Sequence, residues 1–354
     1  MIQLNTLYQM MSLVVNDSPQ LAIAETFLTI PDLINYWLTG ARVCEFTNAT
    51  TTQMLDPRTG RWATEMLERL GIPTHIFPEI ASPGTRLGAY KGIPVIAPAC
   101  HDTGSAVAAV PAETPHFAYI SSGTWSLVGL EVREAVVNDA ALAANVTNEG
   151  GVEGTYRLLK NVMGLWILQQ CRATWQAQGR SFTYGELVEL ARTAQPLRSI
   201  IVPDDPRFLP PGDHPALIRT FCAETGQPVP ETEGAVVRCV LESLALAYRD
   251  VLFRLQALTG QPIEVIHIVG GGSQNRLLNQ LTADATGIPV VAGPAEATVT
   301  GNALVQLISL GELASVQEGR RLVAGMGELV RYEPRQRSAW EEAAARYGEF
   351  LIRN

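Results

Sequence analysis

The clearest periodicity in the chain lies between Glu233 and Leu258, where Val236, Val240, Leu244, Tyr248, Val251 and Leu255 recur in steps of three and four. Steps of that size keep one face of a helix apolar, so the segment is predicted to be a long helix laid on a core. The passage after it changes period. Val265–Val269 is a short unbroken apolar run and reads as a strand, Gly270-Gly271-Gly272 as a turn, and Asn275–Thr286 as a helix with Leu277, Leu278 and Leu281 inward. Gly287 caps that helix and Ile288–Val291 forms the next strand, completing a strand-turn-helix-strand unit. A further helix, Thr298–Leu310, opens with Gly301 and Ala303, small enough to let another backbone approach closely.

The first hundred residues mix helical and loop signals. Leu33, Ile34, Trp37 and Leu38 keep helical spacing until Thr39-Gly40, and Trp62, Met66, Leu67 and Leu70 mark a short helix stopped at Gly71. Gly92–Ala97 reads as a buried strand that delivers the turn His101-Asp102-Thr103-Gly104. Ala118–Ile120 and Ser126–Leu130 read as strands on either side of a Ser/Gly turn, and Tyr156–Gln170 suits the start of a buried helix. The pattern shifts near residues 105–117, which divides the 354-residue chain into 1–108 and 109–354. Alternating strands and helices give an α/β class.

Composition narrows the possible partners. Hydrophobic residues make up 47% and charged residues 17%, the balance of a well-buried globular protein. A formal charge of −9, with Lys91 and Lys160 the only lysines, argues against a nucleic-acid or anionic-membrane surface. Five scattered cysteines without a Cys-x-x-Cys pair predict no zinc site and a reducing compartment. Cys222 and Cys239 flank a Pro-rich loop and could lie close together, although a disulfide there is not the expectation. No run of 18 apolar residues and no secretory leader pattern is visible, so a cytoplasmic location without a membrane span is expected.

Several short segments carry candidate chemistry. Asp102 sits in a small-residue turn at a helix start, where a carboxylate can accept a hydroxyl proton during phosphoryl transfer, although the same residue could simply cap the helix. His101 suits positioning better than base catalysis, because its only adjacent acid is Asp102. Ser121-Ser122-Gly123-Thr124 offers hydroxyls and amides of the kind that cradle phosphate, and by itself is more often a hairpin turn. Gly270–Gly272 lies between a strand and a helix, where ligands dock against free N–H groups. Asn275 stands where a dinucleotide fingerprint needs glycine, and no Gly-Lys-Ser/Thr triplet exists, so neither common nucleotide motif is present. Asn148–Gly151 and Lys160–Gln169 form a polar strip suited to sugar hydroxyls or a ribose, or to ordinary turn chemistry. Cys100 beside His101 suggests a thiol nucleophile, but adjacent side chains diverge, which leaves a thiol-dependent hydrolase the weakest reading. Arg207 and Arg249 read as surface or ion-pairing residues.

Taken together these segments resemble the FGGY carbohydrate kinases. The similarity runs through Asn5–Gln9, Thr47–Gln53, His101-Asp102-Thr103, Ser121–Ser126, Ala143–Gly151, Leu159–Trp166 and His267–Gly272 with Gln274-Asn275. It implies two ribonuclease-H-like lobes of the actin/hexokinase-type ATPase fold that bind ATP, Mg²⁺ and a sugar. Within the family it points to the branch that phosphorylates the 1-hydroxyl of L-rhamnulose. By resemblance Asp102 is the catalytic base, while His101, Thr103 and Asn161 hold the sugar. Thr124, Gln169 and Gly271 are the implied nucleotide contacts, and no protein metal ligand is assigned.

The resemblance also carries a departure. The chain starts at a point internal to full-length members, without the strand-turn-strand opening and its Asp-Leu-Gly phosphate loop, and no D-x-G-x-x-S/T segment replaces it. The first lobe is therefore expected to be incomplete, with exposed sheet edges and weakened handling of the γ-phosphoryl group. A truncated kinase, or one completed by a separate polypeptide, is the first expectation. A non-catalytic remnant that binds nucleotide or sugar is the second.

Overall fold

A computed structural model describes residues 5–327, 329–335 and 337–353; Met1–Leu4, Glu328, Gln336 and Asn354 lie outside the described residues. The chain forms two compact units. The first comprises Met1–Pro115, Leu130–Leu159 and Glu296–Met326, and the second His116–Gly129, Lys160–Ala295 and Gly327–Asn354. The linear division expected at residue 108 thus differs from the units, because two later segments return to the first one.

The first unit is built on short ladders. Strand β1 (Val43–Glu45) runs parallel to β4 (Glu79–Ala81). The pairs β2 (Leu55–Asp56) with β3 (Arg61–Trp62) and β5 (Arg86–Tyr90) with β6 (Ile93–Ile96) are antiparallel. One core gathers Met10, Met54, Leu67, Ile72 and Ile76; a second gathers Ala99, Ala108, Val152, Val305 and Val316. The second core exists because the Asp102–Ala108 and Ala297–Leu310 helices meet at backbone distance. A Cβ on Gly301 would lie 1.7 Å from the Ser105 carbonyl oxygen. The small residue singled out in the sequence is thus the point of helix contact. Arg320, buried in the Val316–Met326 helix, locks this corner by donating to Val107 O at 3.0 Å and to both Glu131 oxygens at 2.9 and 3.0 Å.

A mixed seven-stranded sheet includes β7 (Phe117–Ser122), β8 (Trp125–Val132), β9 (Thr147–Gly150), β10 (Tyr156–Met163), β11 (Val265–Val269), β12 (Val290–Ala292) and β13 (Val330–Tyr332), in the order β13-β12-β11-β7-β8-β10-β9. β11 is parallel to both β7 and β12, whereas β13 and β9 pair antiparallel with their neighbours. The long helix runs Glu233–Thr259, ends at left-handed Gly260, and buries all six residues of the expected face. Each such side chain contributes about 1.5–3 kcal/mol by leaving water. Asn275 caps the next helix, Arg276–Thr286, by accepting from Leu278 N at 3.0 Å, and Gly287 closes it with φ +69°.

Three sequence expectations change. Ile93–Ile96 is a strand of a hairpin exposed at its N-terminal end, with Ile93 68% accessible, and only Ile96 and the following Ala97 are buried. A four-residue apolar run does not by itself report burial. Tyr156–Gln170 begins as a strand through Met163 and turns helical only from Trp166, because pairing with β9 decides a run whose periodicity is ambiguous. The Ile30–Thr39 helix forms with Gly40 as its left-handed cap, yet Ile34 and Trp37 face solvent and the buried group is Asp32.

Candidate active site

In the first unit the His101-Asp102-Thr103 turn is held from beneath by a buried acid. Glu45 ends β1 and is fully buried. Its Oε1 accepts from Thr47 N at 3.0 Å; its Oε2 accepts from the Thr47 hydroxyl at 2.6 Å, Asn48 N at 3.2 Å and Cys100 N at 3.0 Å. Burial pushes Glu45 up to about 7, against those hydrogen bonds, which pull the other way. Thr47 Oγ1 in turn accepts from His101 N at 3.1 Å, so the turn hangs from the start of the Phe46–Ala49 helix. Asp32 Oδ1 supports the assembly by accepting from Glu45 N at 3.1 Å.

His101 occupies the cap position and Asp102 is the first residue of the helix that runs to Ala108. Asp102 Oδ1 accepts from Thr103 N at 2.6 Å and from the Thr103 hydroxyl at 3.2 Å. Every later residue of the helix is buried, while the Asp102 side chain is 76% exposed. The His101 ring lies against Arg157: Nη2 donates to Nδ1 at 3.2 Å, and Arg157 Nη1 pairs with Glu149 Oε2 at 3.1 Å. Burial and the Arg157 charge hold His101 below the usual imidazole range, outweighing the nearby Glu149 and Asp102 carboxylates. His101 is therefore unsuited to a permanent positive charge.

The second unit carries another set of candidates. The turn between β7 and β8 receives the chain from Leu165 and Trp166, whose N–H groups donate to Gly123 O and Thr124 O, each at 3.1 Å. Gln169, one turn into the Trp166–Ala177 helix, donates through Nε2 to Thr124 Oγ1 at 3.3 Å. Gly270–Gly272 packs beside the same turn, since a Cβ on Gly272 would lie 2.0 Å from Ser122 Oγ. A Cβ on Gly271 would meet nothing within 4 Å. This exposed, side-chain-free edge leaves room for a flat group to lie against the backbone. Asn161, on β10, belongs to this unit, and its buried Oδ1 has no hydrogen-bond partner. The structure thus brings His101, Asp102 and Thr103 together, brings Thr124, Gln169 and the Gly271 loop together, and assigns Asn161 to the second unit.

Other candidates prove structural. Asn148 brackets the Val136 backbone at 2.8 and 2.9 Å, and Arg207 and Arg249 pair with Asp205, Glu224 and Glu341. Burial first, then Glu45 and Asp32, push the Cys100 thiol far up, which disfavours the thiolate a nucleophile needs. The Cys222 and Cys239 thiols share a hydrogen bond and are both free. Among the described residues no group of three His, Cys, Asp or Glu is placed to hold a metal ion, and no helix is long and apolar enough to cross a membrane. Sequence reasoning missed Glu45 and Arg157. The one available signal for each is a charged residue inside an apolar strand run, Val-Cys-Glu-Phe and Tyr-Arg-Leu-Leu.

The first unit thus carries an exposed carboxylate on a rigid turn, and the second unit carries a hydroxyl-amide turn beside a glycine edge. The sequence matches the FGGY family of carbohydrate kinases over both its domains, the N-terminal over residues 1–105 and the C-terminal over 118–310. The chain belongs to the FGGY family of carbohydrate kinases. It is 47% identical to a rhamnulokinase of Bacteroides thetaiotaomicron over 96% of this chain and 71% of that protein. It is 46% identical to a rhamnulokinase of Pectobacterium carotovorum over 94% of this chain and 68% of that one. The fold matches xylulose kinase from Rhodospirillum rubrum with a TM-score of 0.79 at 18% identity, covering 99% of this chain and 72% of that one. Plasmodium falciparum glycerol kinase with ADP gives 0.76 at 15% identity, covering 98% and 71%. The fold is therefore that of the actin/hexokinase-type sugar kinases.

Proposed function

We propose that the chain transfers the γ-phosphoryl group of ATP to the 1-hydroxyl of L-rhamnulose, giving L-rhamnulose 1-phosphate and ADP. In this reading the Asp102 carboxylate accepts the proton of the 1-hydroxyl as that oxygen bonds to phosphorus and the bond to the ADP oxygen breaks. His101, Thr103 and Asn161 hold the sugar. Thr124, Gln169 and Gly271 hold the nucleotide, whose Mg²⁺ neutralises phosphate charge when bound. The observation that carries the reading is the contrast at one helix: Asp102 is open while Thr103–Ala108 are buried. A stability role would not need that exposure. The 45–47% identity to rhamnulokinases favours L-rhamnulose over other ketoses.

The test is a coupled ADP-release assay with ATP, Mg²⁺ and L-rhamnulose, run beside L-fuculose and D-xylulose. Turnover preferring L-rhamnulose that disappears in Asp102→Asn supports the proposal. ATP binding by calorimetry with no turnover on any sugar would instead make the chain a non-catalytic nucleotide-binding protein.

A further inference from the structure

The side chain of Arg157 has an unusual position for an arginine. It is wholly buried on β10, opposite Glu149 in the β9–β10 ladder; Nε and Nη2 each meet an acceptor, while Nη1 lies at ion-pair distance from Glu149 without a hydrogen bond. Nε donates to Gly150 O at 2.9 Å, Nη1 pairs with Glu149 Oε2 at 3.1 Å, and Nη2 reaches His101 Nδ1 at 3.2 Å. Guanidinium has donors only, so the imidazole nitrogen that meets it must accept. The alternative, a proton on Nδ1 directed to Glu149, fails on distance, because that separation is 3.8 Å. The ring proton therefore belongs on Nε2, the nitrogen that lies 3.7 Å from Asp102 Oδ1.

We propose that Arg157 is a positioning residue that fixes His101 as the Nε2–H tautomer and so presents a hydrogen-bond donor beside the Asp102 acceptor. Resting on the phosphotransfer reading above, this donor–acceptor pair defines the substrate class. A hydroxyl that donates to Asp102 is flanked by a neighbouring oxygen that accepts from His101, as C1–OH and the oxygen on C2 do in a 2-ketose. The gap of 3.7 Å is too long for a direct His101–Asp102 hydrogen bond, which leaves Nε2–H available to the sugar. The charges facing the ring are Arg157, Glu149 and Asp102, and their balance together with burial keeps the ring neutral. The β9 strand holds the device in place, because Gly150 N donates to Thr50 Oγ1 at 2.7 Å and a Cβ there would collide with Phe46.

The tautomer is read directly by long-range ¹H–¹⁵N correlation on the full labelled chain, which has five histidines, with the His101 signals identified by their loss in His101→Gln. The expected wild-type pattern is a neutral ring protonated at Nε2 that resists protonation below the ordinary histidine range. Arg157→Met should release it to a tautomer mixture that protonates at higher pH than in the wild type, and should lower kcat for L-rhamnulose about a hundredfold with a smaller change in KM. Arg157→Lys should restore part of both. If stranding Glu149 unfolds Arg157→Met, the pair Arg157→Met with Glu149→Gln removes the unpaired charge and the same readouts apply. In the His101→Gln background, where the amide NH₂ is a donor without tautomers, Arg157→Met should cost little further activity. A proton on Nδ1 or a cationic ring in the wild type overturns the proposal, as does an equal kcat loss in both backgrounds. The spectroscopic arm needs no turnover, so it decides the inference even if L-rhamnulose is not the substrate.

Discussion

Replacing Gly301 with alanine adds one methyl group where the Ala297–Leu310 helix meets the Asp102 helix. The new Cβ would lie 1.7 Å from Ser105 O and 2.6 Å from Ser105 C, both backbone atoms that no rotamer change can move. Restoring ordinary contact requires the helices to part by about 1.5 Å. Alanine gains about 1 kcal/mol of helix propensity over glycine. Against this, overpacking costs about 1–3 kcal/mol, and more where rigid backbone is struck. Parting the helices also loosens the core of Ala99, Ala108, Val152, Val305 and Val316. The net expectation is a loss of about 2 kcal/mol in the first unit, the top of that range after the propensity gain. Asp102 travels with its helix, and its carbonyl accepts from Thr298 Oγ1 at 3.3 Å, so kcat should fall about a hundredfold from displacement alone. Urea unfolding followed by tryptophan fluorescence, with kinetics on ATP and L-rhamnulose, measures both effects. Gly325→Ala is the control, because a Cβ there meets nothing within 4 Å and helix propensity alone should act. A Gly301→Ala protein with the midpoint and turnover of the wild type would refute the backbone contact.

Other expectations follow from the same geometry. Asp102→Asn should lower kcat by about 10²–10⁴-fold at unchanged unfolding midpoint, since the side chain is exposed; a stability loss comparable to the activity loss would point to a structural role. Gly271→Ala should leave the midpoint alone and weaken ATP binding by calorimetry, whereas Gly272→Ala should lower the midpoint by striking Ser122; equal effects on both would contradict the proposed nucleotide edge. Glu45 is raised from 4.5 to about 7, so its stabilising contribution is complete below pH 4.5 and is lost as pH rises through 7, a change of about 3 kcal/mol. Urea midpoints compared between wild type and Glu45→Gln from pH 5 to 8 should therefore converge or cross, and parallel curves would count against the shifted carboxyl.

Local chemistry made much of this legible in advance. The face of the Glu233–Thr259 helix, the strand before Gly270, the Asn275 and Gly287 caps and the closeness demanded by Gly301 all follow from residues within one or two turns of each other. The candidate site was legible where it is contiguous, as at His101-Asp102-Thr103. It was not legible where a residue acts at long range. Glu45 reaches Cys100 N across 55 positions and Arg157 reaches His101 across 56, and no periodicity encodes such pairings. Burial misled for a related reason: Ile34, Trp37 and Ile93 satisfy local patterns but face outward, because burial depends on what packs above an element.

The helix that bears Asp102 finds its partner late. Thr298 and Gly301 follow it by nearly 200 residues, Thr298 and Asp102 being 196 apart. At about 5–20 residues per second, a ribosome needs about 10–40 s to supply the covering helix after the Asp102 turn has been made. During that interval the second unit is still being synthesised, and the Ser105 carbonyl face is uncovered. The first unit thus waits for a segment made only after most of the second, and until then the Asp102 helix offers an unsheltered backbone face in the nascent chain.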